Sequence, residues 1–264
     1  MRVTFLGTGT SHGIPVPGCR CRVCRSRDPR NRRSRASILV HAKGIALLVD
    51  TAPEFRLQAL RAGLDSLDAV LFTHSHADHL HGLDDLRPLC GNDPMPVYGS
   101  GETLEDIRRR FDYIFRPRQE GGGVPRLALN PVTGGTPFSA AGLTVTPVPL
   151  RHGDLSIFGY RIGGLAYLTD CSAIPPGSLP LLENLDLLVL GALRYRPHPT
   201  HFSVAEALEA IGLIRPASAL LTHFCHDIDH GTLKKELPPG TAPSYDGLTV
   251  RIPTDPGLFR DPGT

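Results

Sequence analysis

The chain contains no tryptophan and only two methionines, and aromatic residues make up 6% of its 264 positions. Broad platforms for stacking bases are therefore scarce. It also lacks any run of about 18 apolar residues, which excludes a helical membrane span. The opening Met1-Arg2-Val3-Thr4-Phe5 lacks the basic-then-apolar form of an export signal, so a cytoplasmic protein with no membrane partner is expected. An excess of one charge is missing too. The net charge is +2, with 20% charged and 41% hydrophobic residues, which fits a globular chain and not extended disorder. Turn formers, by contrast, are plentiful: 28 glycines and 25 prolines point to many short strands and few long helices. No linker divides the sequence, so one domain over residues 1–264 is expected.

Charge is unevenly spread. Arg20 to Arg35 holds eight arginines against the single Asp28, a local +7 that leaves the remainder near −5. Such a loop is either a solvated basic surface or a field that steers an anionic substrate. No aromatic residue is interleaved with the arginines, which weighs against single-stranded nucleic acid as a partner and leaves it open. Six cysteines without an export signal do not make a disulfide framework. Cys19, Cys21 and Cys24 form C-x-C-x-x-C, a cluster that points to metal or redox chemistry.

Along the chain, Val3–Leu6 reads as a first strand that leads into Gly7-Thr8-Gly9. The glycine spacing is not that of a dinucleotide site, and Ile14-Pro15-Val16-Pro17 blocks the helix such a site needs. Ser37–His41 and Ile45–Asp50 read as a hairpin, Phe55–Ala62 as a helix, and Ala69–Thr73 as a buried strand. A strand at Val97–Tyr98, a helix over Thr103–Ile114 and a break at Gly121–Gly123 follow. Further strands are expected at Leu143–Leu150, Ile157–Ile162, Leu165–Leu168, Leu187–Leu190 and Ala217–Leu221, with a helix at Val204–Ile214 capped by Ser203 and Glu206. Strands and then a helix, twice over, predict an αββα sandwich of two similar halves.

At the end of the Ala69–Thr73 run stands His74-Ser75-His76-Ala77-Asp78-His79, or H-x-H-x-D-H. His74 and His76, two apart in extended chain, point to one side and can share a metal, while Asp78 and His79 lie round the turn and invite a second. Four local donors cannot fill two sites. His152, Asp170 and His223 each stand just past a β-rich run and can supply the rest, with Asp170 able to bridge. Two such ions can share a hydroxide and clamp the oxygens of an in-line displacement.

These residues resemble the metallo-β-lactamase superfamily across essentially the whole chain. Gly7-Thr8-Gly9, the C-x-C-x-x-C cluster and Thr222-His223-Phe224-Cys225-His226 narrow the resemblance to the PhnP-like cyclic phosphodiesterases associated with carbon-phosphorus lyase. His81–Asp85 and Gly191-Ala192-Leu193-Arg194 depart from that pattern. The resemblance implies one zinc or manganese ion on His74, His76, His152 and Asp170, and another on Asp78, His79, Asp170 and His223. It implies that Asp50 orients a ligand histidine, although a helix cap at Thr51-Ala52-Pro53 is an equal reading. It also implies that His201 assists the leaving group, with Asp78 taking part in catalysis and His198 the lesser candidate. Cys19, Cys21, Cys24 and His226 would hold one structural zinc that pins the Arg-rich loop, about 18–36, beside the catalytic ions. Cys225 could compete for that role, and Cys90 and Cys171 read as small core residues.

The function so implied is hydrolysis of a small anionic phosphodiester, of the 5-phosphoribosyl 1,2-cyclic phosphate or 2′,3′-cyclic nucleotide type. The alternatives are a transfer-RNA 3′-processing nuclease, for which no RNA-holding arm is present, a non-hydrolytic protein of the pyrroloquinoline quinone pathway type, and a binding module with purely structural metals. A homodimer is left open.

Overall fold

A computed structural model describes residues 1–116 and 123–253. Its strands form two seven-stranded mixed sheets. The first runs in space β14 (Thr249–Arg251), β1 (Arg2–Gly7), β2 (Ser37–Ala42), β3 (Ile45–Val49), β4 (Ala69–Leu71), β5 (Met95–Gly99) and β6 (Leu127–Pro131). The second runs β13 (Thr241–Pro243), β12 (Ala219–Thr222), β11 (Leu187–Gly191), β10 (Leu165–Leu168), β9 (Leu155–Ile162), β8 (Leu143–His152) and β7 (Phe138–Ala140).

Side-chain alternation explains the layering. In β3, Leu47 and Val49 enter the core between the sheets, while Ala46 and Leu48 face outward. Likewise in β10, Leu165 and Tyr167 point inward and Ala166 and Leu168 outward. Both faces are buried, so these strands are apolar throughout. The outer face of the first sheet is covered by α1 (Phe55–Ala62) and α3 (Gly101–Arg110) through Phe55, Leu104 and Ile107. That of the second is covered by α5 (Val204–Ile214) and α6 (His230–Glu236) through Val204, Ala207 and Leu233. Each of these side chains other than that of Ala207 contributes roughly 1.5–3 kcal/mol on burial. The result is the αββα sandwich.

Some boundaries differ from the sequence expectation. The helix expected over Thr103–Ile114 breaks at Phe111, whose φ of −115° and ψ of 41° are not helical, leaving α3 and a short α4 (Asp112–Phe115). β8 runs through His152 because Arg151 and His152 pair with Ser156 and Leu155 across a tight hairpin. Gly121 and Gly122, part of the expected break, lie outside the described residues. The capping box of α5 is present, with Ser203 and Glu206 exchanging bonds. No helix among the described residues is long and apolar enough to cross a membrane.

β3 and β4 are parallel, as are β10, β11 and β12, and all end at the same edge of the sandwich as β8. Gly7, where β1 ends, must be glycine, since a Cβ there would lie 2.0 Å from the Arg35 carbonyl oxygen. The glycines after β1 thus serve close packing of the 33–35 segment.

Candidate metal centre

Strand ends deliver the polar side chains. Asp50 follows β3, His152 ends β8, Asp170 follows β10 and His223 follows β12. The short helix α2 (Ala77–Leu80) carries Asp78 and His79 and begins directly after His76. Asp50, Asp170 and His223 have φ values of 65°, 56° and 62°. A left-handed backbone at a non-glycine residue costs of order 1–3 kcal/mol and persists only where the surroundings enforce it. Its recurrence at three strand ends turns these side chains toward one point.

The donors gather there in overlapping groups. Ligand atoms of His74, His76 and His152 lie within 4.8 Å of one another, as do those of His74, His79 and Asp170, and those of Asp78, Asp170 and His223. All are buried except His76. The backs of the imidazoles are occupied: Asp50 Oδ2 lies 2.7 Å from His79 Nδ1, and the Thr200 carbonyl oxygen 2.6 Å from His152 Nδ1. Asp50 also accepts from Thr73 N and Oγ1, both at 2.8 Å, and Thr73 Oγ1 lies 2.9 Å from His74 Nδ1. The helix-cap reading of Asp50 does not hold, since Glu54 occupies the N-cap position of α1. Tyr160 Oη, from the second sheet, donates to the Phe72 carbonyl at 2.7 Å, and Phe158 N to that of Thr73 at 3.0 Å. Both sheets thereby hold the H-x-H segment.

The front side of this shell fits cations. His74 Nε2 and His79 Nε2 are buried without a hydrogen-bond partner. His79 Nε2 stands 3.2 Å from Asp78 Oδ2 and 3.3 Å from Asp170 Oδ1, near enough to feel their charge but not aligned for a hydrogen bond. Burial alone would strip the proton from His79, yet Asp170, Asp78 and Asp50 outweigh it and hold its pKa well above the ordinary value. Burial would likewise raise Asp78 and Asp170. The neighbouring imidazoles, His79 beside Asp78 and His223 with His79 beside Asp170, prevail and keep both carboxyls below the usual range. His74 goes the other way, depressed by burial and then by His79. An anionic, desolvated pocket rimmed by unpartnered nitrogens is what divalent ions would fill.

His201 joins this centre. Its ring lies 4.6 Å from that of His152 and stacks 5.0 Å from that of His223. Its ligand atom falls within 4.8 Å of those of His152 and Asp170. Burial first, and then His223, hold its pKa down to about 3. The ring is therefore neutral at pH 7. His198 stands 5.2 Å further out. From His201 a cleft of about 360 Å³ opens, lined by Ser11, His12, Arg194, Arg196, His198 and Asp227 among others.

The second cluster is of a different kind. Cys19, Cys21 and Cys24 lie 3.2, 3.7 and 3.7 Å from His226 Nδ1, and the four donor atoms are mutually within 4.8 Å. Cys225 is not among them; its sulfur accepts from Asp227 N. Cys171 is buried in the core and Cys90 is half-buried against the first sheet's outer cluster.

The arginine-rich loop corrects a sequence expectation. Arg33 is 2% exposed, with donors on the carbonyls of Arg30 and Cys225 and on Asn31, and its guanidinium sits 4.9 Å over the Phe224 ring. Arg35 pairs with Glu54 at 2.7 Å and Arg30 with Asp28 at 2.8 Å. Arg20, Arg22, Arg25, Arg27 and Arg32 are exposed, as a solvated basic surface requires, and the arginines on the cleft wall are Arg194 and Arg196, outside the loop. Sequence reasoning also missed Thr73, Thr200 and Asp106. Asp106, on α3, accepts from Ser75 Oγ at 2.5 Å and so braces the residue between His74 and His76. Only Thr73 had a signal, its adjacency to the motif.

Residues 46–224 match the model of the β-lactamase superfamily domain. The chain belongs to this superfamily. It is PhnP-like within it: a solved structure described as a new diphosphatase from the PhnP family superposes with a TM-score of 0.89 at 38% identity, covering 96% of this chain and 98% of that one. An octanoyltransferase of Porphyromonas gingivalis is 44% identical over 258 residues, which are 96% of this chain and 52% of that protein. A ribonuclease Z of Bradyrhizobium diazoefficiens is 30% identical over 164 residues, 60% of this chain and 48% of that protein. The chain thus spans about half the length of these two relatives. It is a metallo-β-lactamase-fold protein similar to the PhnP-family diphosphatase and to ribonuclease Z, in a superfamily that binds divalent metals.

Proposed function

We propose that this chain hydrolyses a small phosphodiester, cyclic in the leading case, at a binuclear centre. The observation that carries it is the convergence of seven His and Asp donors on one buried point, two of their nitrogens unpartnered, beside a cleft at the lower end of the roughly 300–1,000 Å³ range of small-molecule sites. His74, His76, His152 and Asp170 would hold one ion, and Asp78, His79, Asp170 and His223 the other; zinc and manganese both suit these donors. When bound, such ions offset the charge that grows on the phosphoryl oxygens and lower the pKa of water. Cys19, Cys21, Cys24 and His226 would hold a structural zinc.

The protein's own groups do the rest. Asp50 fixes the tautomer and orientation of His79, as the Thr200 carbonyl does for His152. Asp78 orients the attacking water. As the new P–O bond forms and the old one breaks, the water's proton passes to the departing oxygen, and neutral His201 steadies that oxygen through its N–H.

The name diphosphatase on the 38% identical neighbour, nearly all of which this chain covers, favours a second substrate, a diphosphate, cleaved at phosphorus in the same way. The octanoyltransferase name belongs to a protein about half of which has no counterpart here, so it supports an acyl substrate less. A nuclease of the ribonuclease Z type remains a partner-level alternative, weakened by the small cleft. The test is a panel of cyclic and linear phosphodiesters, diphosphates, a thioester and a β-lactam, run after reconstitution with manganese or zinc. Turnover is expected on phosphorus substrates alone; efficient thioester or lactam cleavage with none at phosphorus would overturn the proposal. His201→Ala should lower diester turnover about 10²-fold with metal content intact. Loss of metal in that variant would make His201 a ligand instead.

A further inference from the structure

We propose that Arg194 is the specificity-determining anchor of a subsite for a second anionic group, a phosphate carried by the leaving half of the substrate. This rests on phosphoryl hydrolysis at the His/Asp centre. The cleft begins at His201, which touches that centre, and continues past His198 toward the 225–227 turn. A molecule whose phosphorus sits among the donors and whose leaving oxygen meets His201 therefore extends its leaving half into this cleft.

The charge of the wall is one-sided. It carries Arg194 and Arg196 against a single carboxylate, Asp227. Asp227 lies 3.4 Å from Arg196, and both are well exposed, at 40% and 77% of their side chains respectively. Such a solvated pair is worth little and can open to an incoming anion. Arg194 differs. Among the described residues no carboxylate pairs with it. Its Nε donates to the Arg196 carbonyl at 3.2 Å and its Nη2 to the Pro197 carbonyl at 2.8 Å, which fixes the guanidinium without cancelling its charge.

The backbone beneath it is also fixed. Leu193 N donates to the Phe202 carbonyl, Cys225 N to that of Leu193, and Val204 N to that of Arg194, all at 2.9 Å. A half-buried cation on a rigid segment loses little entropy when it binds a phosphate, and its planar donors match phosphate oxygens. Among the described residues no Phe, Tyr or Trp lines the cleft, so a base would find only the small imidazole faces to stack on there. An anion is the ligand this wall recognises. Two kinds of leaving half supply it: the phosphate released from a diphosphate, and an alcohol that bears a phosphate monoester.

The experiment compares three substrates: bis(p-nitrophenyl) phosphate, whose leaving group carries no phosphate; diadenosine 5′,5′-diphosphate; and a diester whose alcohol ends in a phosphate monoester. For Arg194→Ala, the preference in kcat/KM for phosphate-bearing substrates over the aryl diester should fall about 10- to 100-fold, mainly through KM. Arg194→Lys should recover part of it, and Arg196→Ala should lose less. Which of the two phosphate-bearing substrates is affected more identifies the source of the anion. An unchanged preference in an active Arg194→Ala protein would overturn the subsite and leave the hydrolysis standing. If the wild type hydrolyses none of the three, the hydrolysis itself fails, and calorimetry with glycerol 3-phosphate decides the subsite. About tenfold weaker binding to Arg194→Ala supports it, and equal binding refutes it.

Discussion

The protein holds two donor clusters that are built on opposite plans. The His/Asp centre draws seven side chains from four strand ends and one short helix, nearly all buried, with His79 and His152 each backed by an outer partner. The Cys cluster draws three thiols from one irregular loop, with Cys19 and Cys21 only half-buried, and closes on His226 from about 200 residues further on. The first leaves nitrogens unpartnered and carboxylates unneutralised. The second has four donors, enough for a tetrahedral ion and no more. Openness belongs to chemistry and closure to stability, and the predictions below divide the two clusters along that line.

The largest effect is expected at Asp170, the one carboxylate shared by both proposed ion sites. Asp170→Ala should cut phosphodiester turnover by about 10³-fold or more, since it removes the bridge and bares two imidazoles, His79 and His223, that face it. Rates with added manganese or zinc check this, alongside metal content. Activity within tenfold of wild type would remove Asp170 from the centre.

Asp50→Asn should cost less, about 10- to 100-fold in metal affinity or rate. The amide keeps the shape but presents an N–H or a weaker acceptor to His79 Nδ1. Metal titrations read the affinity directly, and an unchanged curve would reduce Asp50 to a structural partner of Thr73.

Cys21→Ser with Cys24→Ser sharpens the comparison from the other side. One tightly held zinc per chain should disappear and the melting temperature should fall by on the order of 5–10 °C, while the exchangeable ions of the His/Asp centre remain. Unchanged zinc content and stability would show that these thiols hold no metal. Parallel loss of both metal types would show that the clusters form one cooperative unit.

Much of this was legible in the sequence, for identifiable reasons. Strands such as β10 and β11 are buried on both faces, so they stand out as apolar runs, and Ser203 with Glu206 announces α5. H-x-H-x-D-H crowds four donors into six residues, and strand ends pointed to His152, Asp170 and His223. What was hidden depends on distant chain. A run of arginines says nothing about Arg33 reaching Cys225, 192 residues away, or about Asn31 holding Asp229. Nor does the sequence show that the Thr200 carbonyl backs His152, because a carbonyl has no residue type. The left-handed turns at Asp50, Asp170 and His223 were hidden for a similar reason: no glycine marks them, and Asp and His, though they tolerate positive φ better than most residues, occur mainly elsewhere.

The smallest expected effect asks which region carries acid sensitivity. His230, at the start of α6 on the side of the Cys cluster, is 2% exposed, and its Nδ1 has no partner. Burial first, and then Arg30 and Arg33, hold its pKa down to about 4 from an ordinary 6.5. The unfolded chain therefore binds this proton before the folded one does. Stability from this residue is intact above pH 6.5 and falls as the pH drops from about 6.5 toward 4, where the folded protein takes up the proton as well. Melting temperatures across this interval should decline by a few degrees more in the wild type than in His230→Gln, which has no proton to bind. Both proteins are compared in the same metal-replete buffer, so that acid release of ions from the His/Asp centre lowers both curves equally and cancels. If the two curves run parallel from pH 7 to pH 4, the acid sensitivity lies at the strand-end centre and not beside the arginine loop.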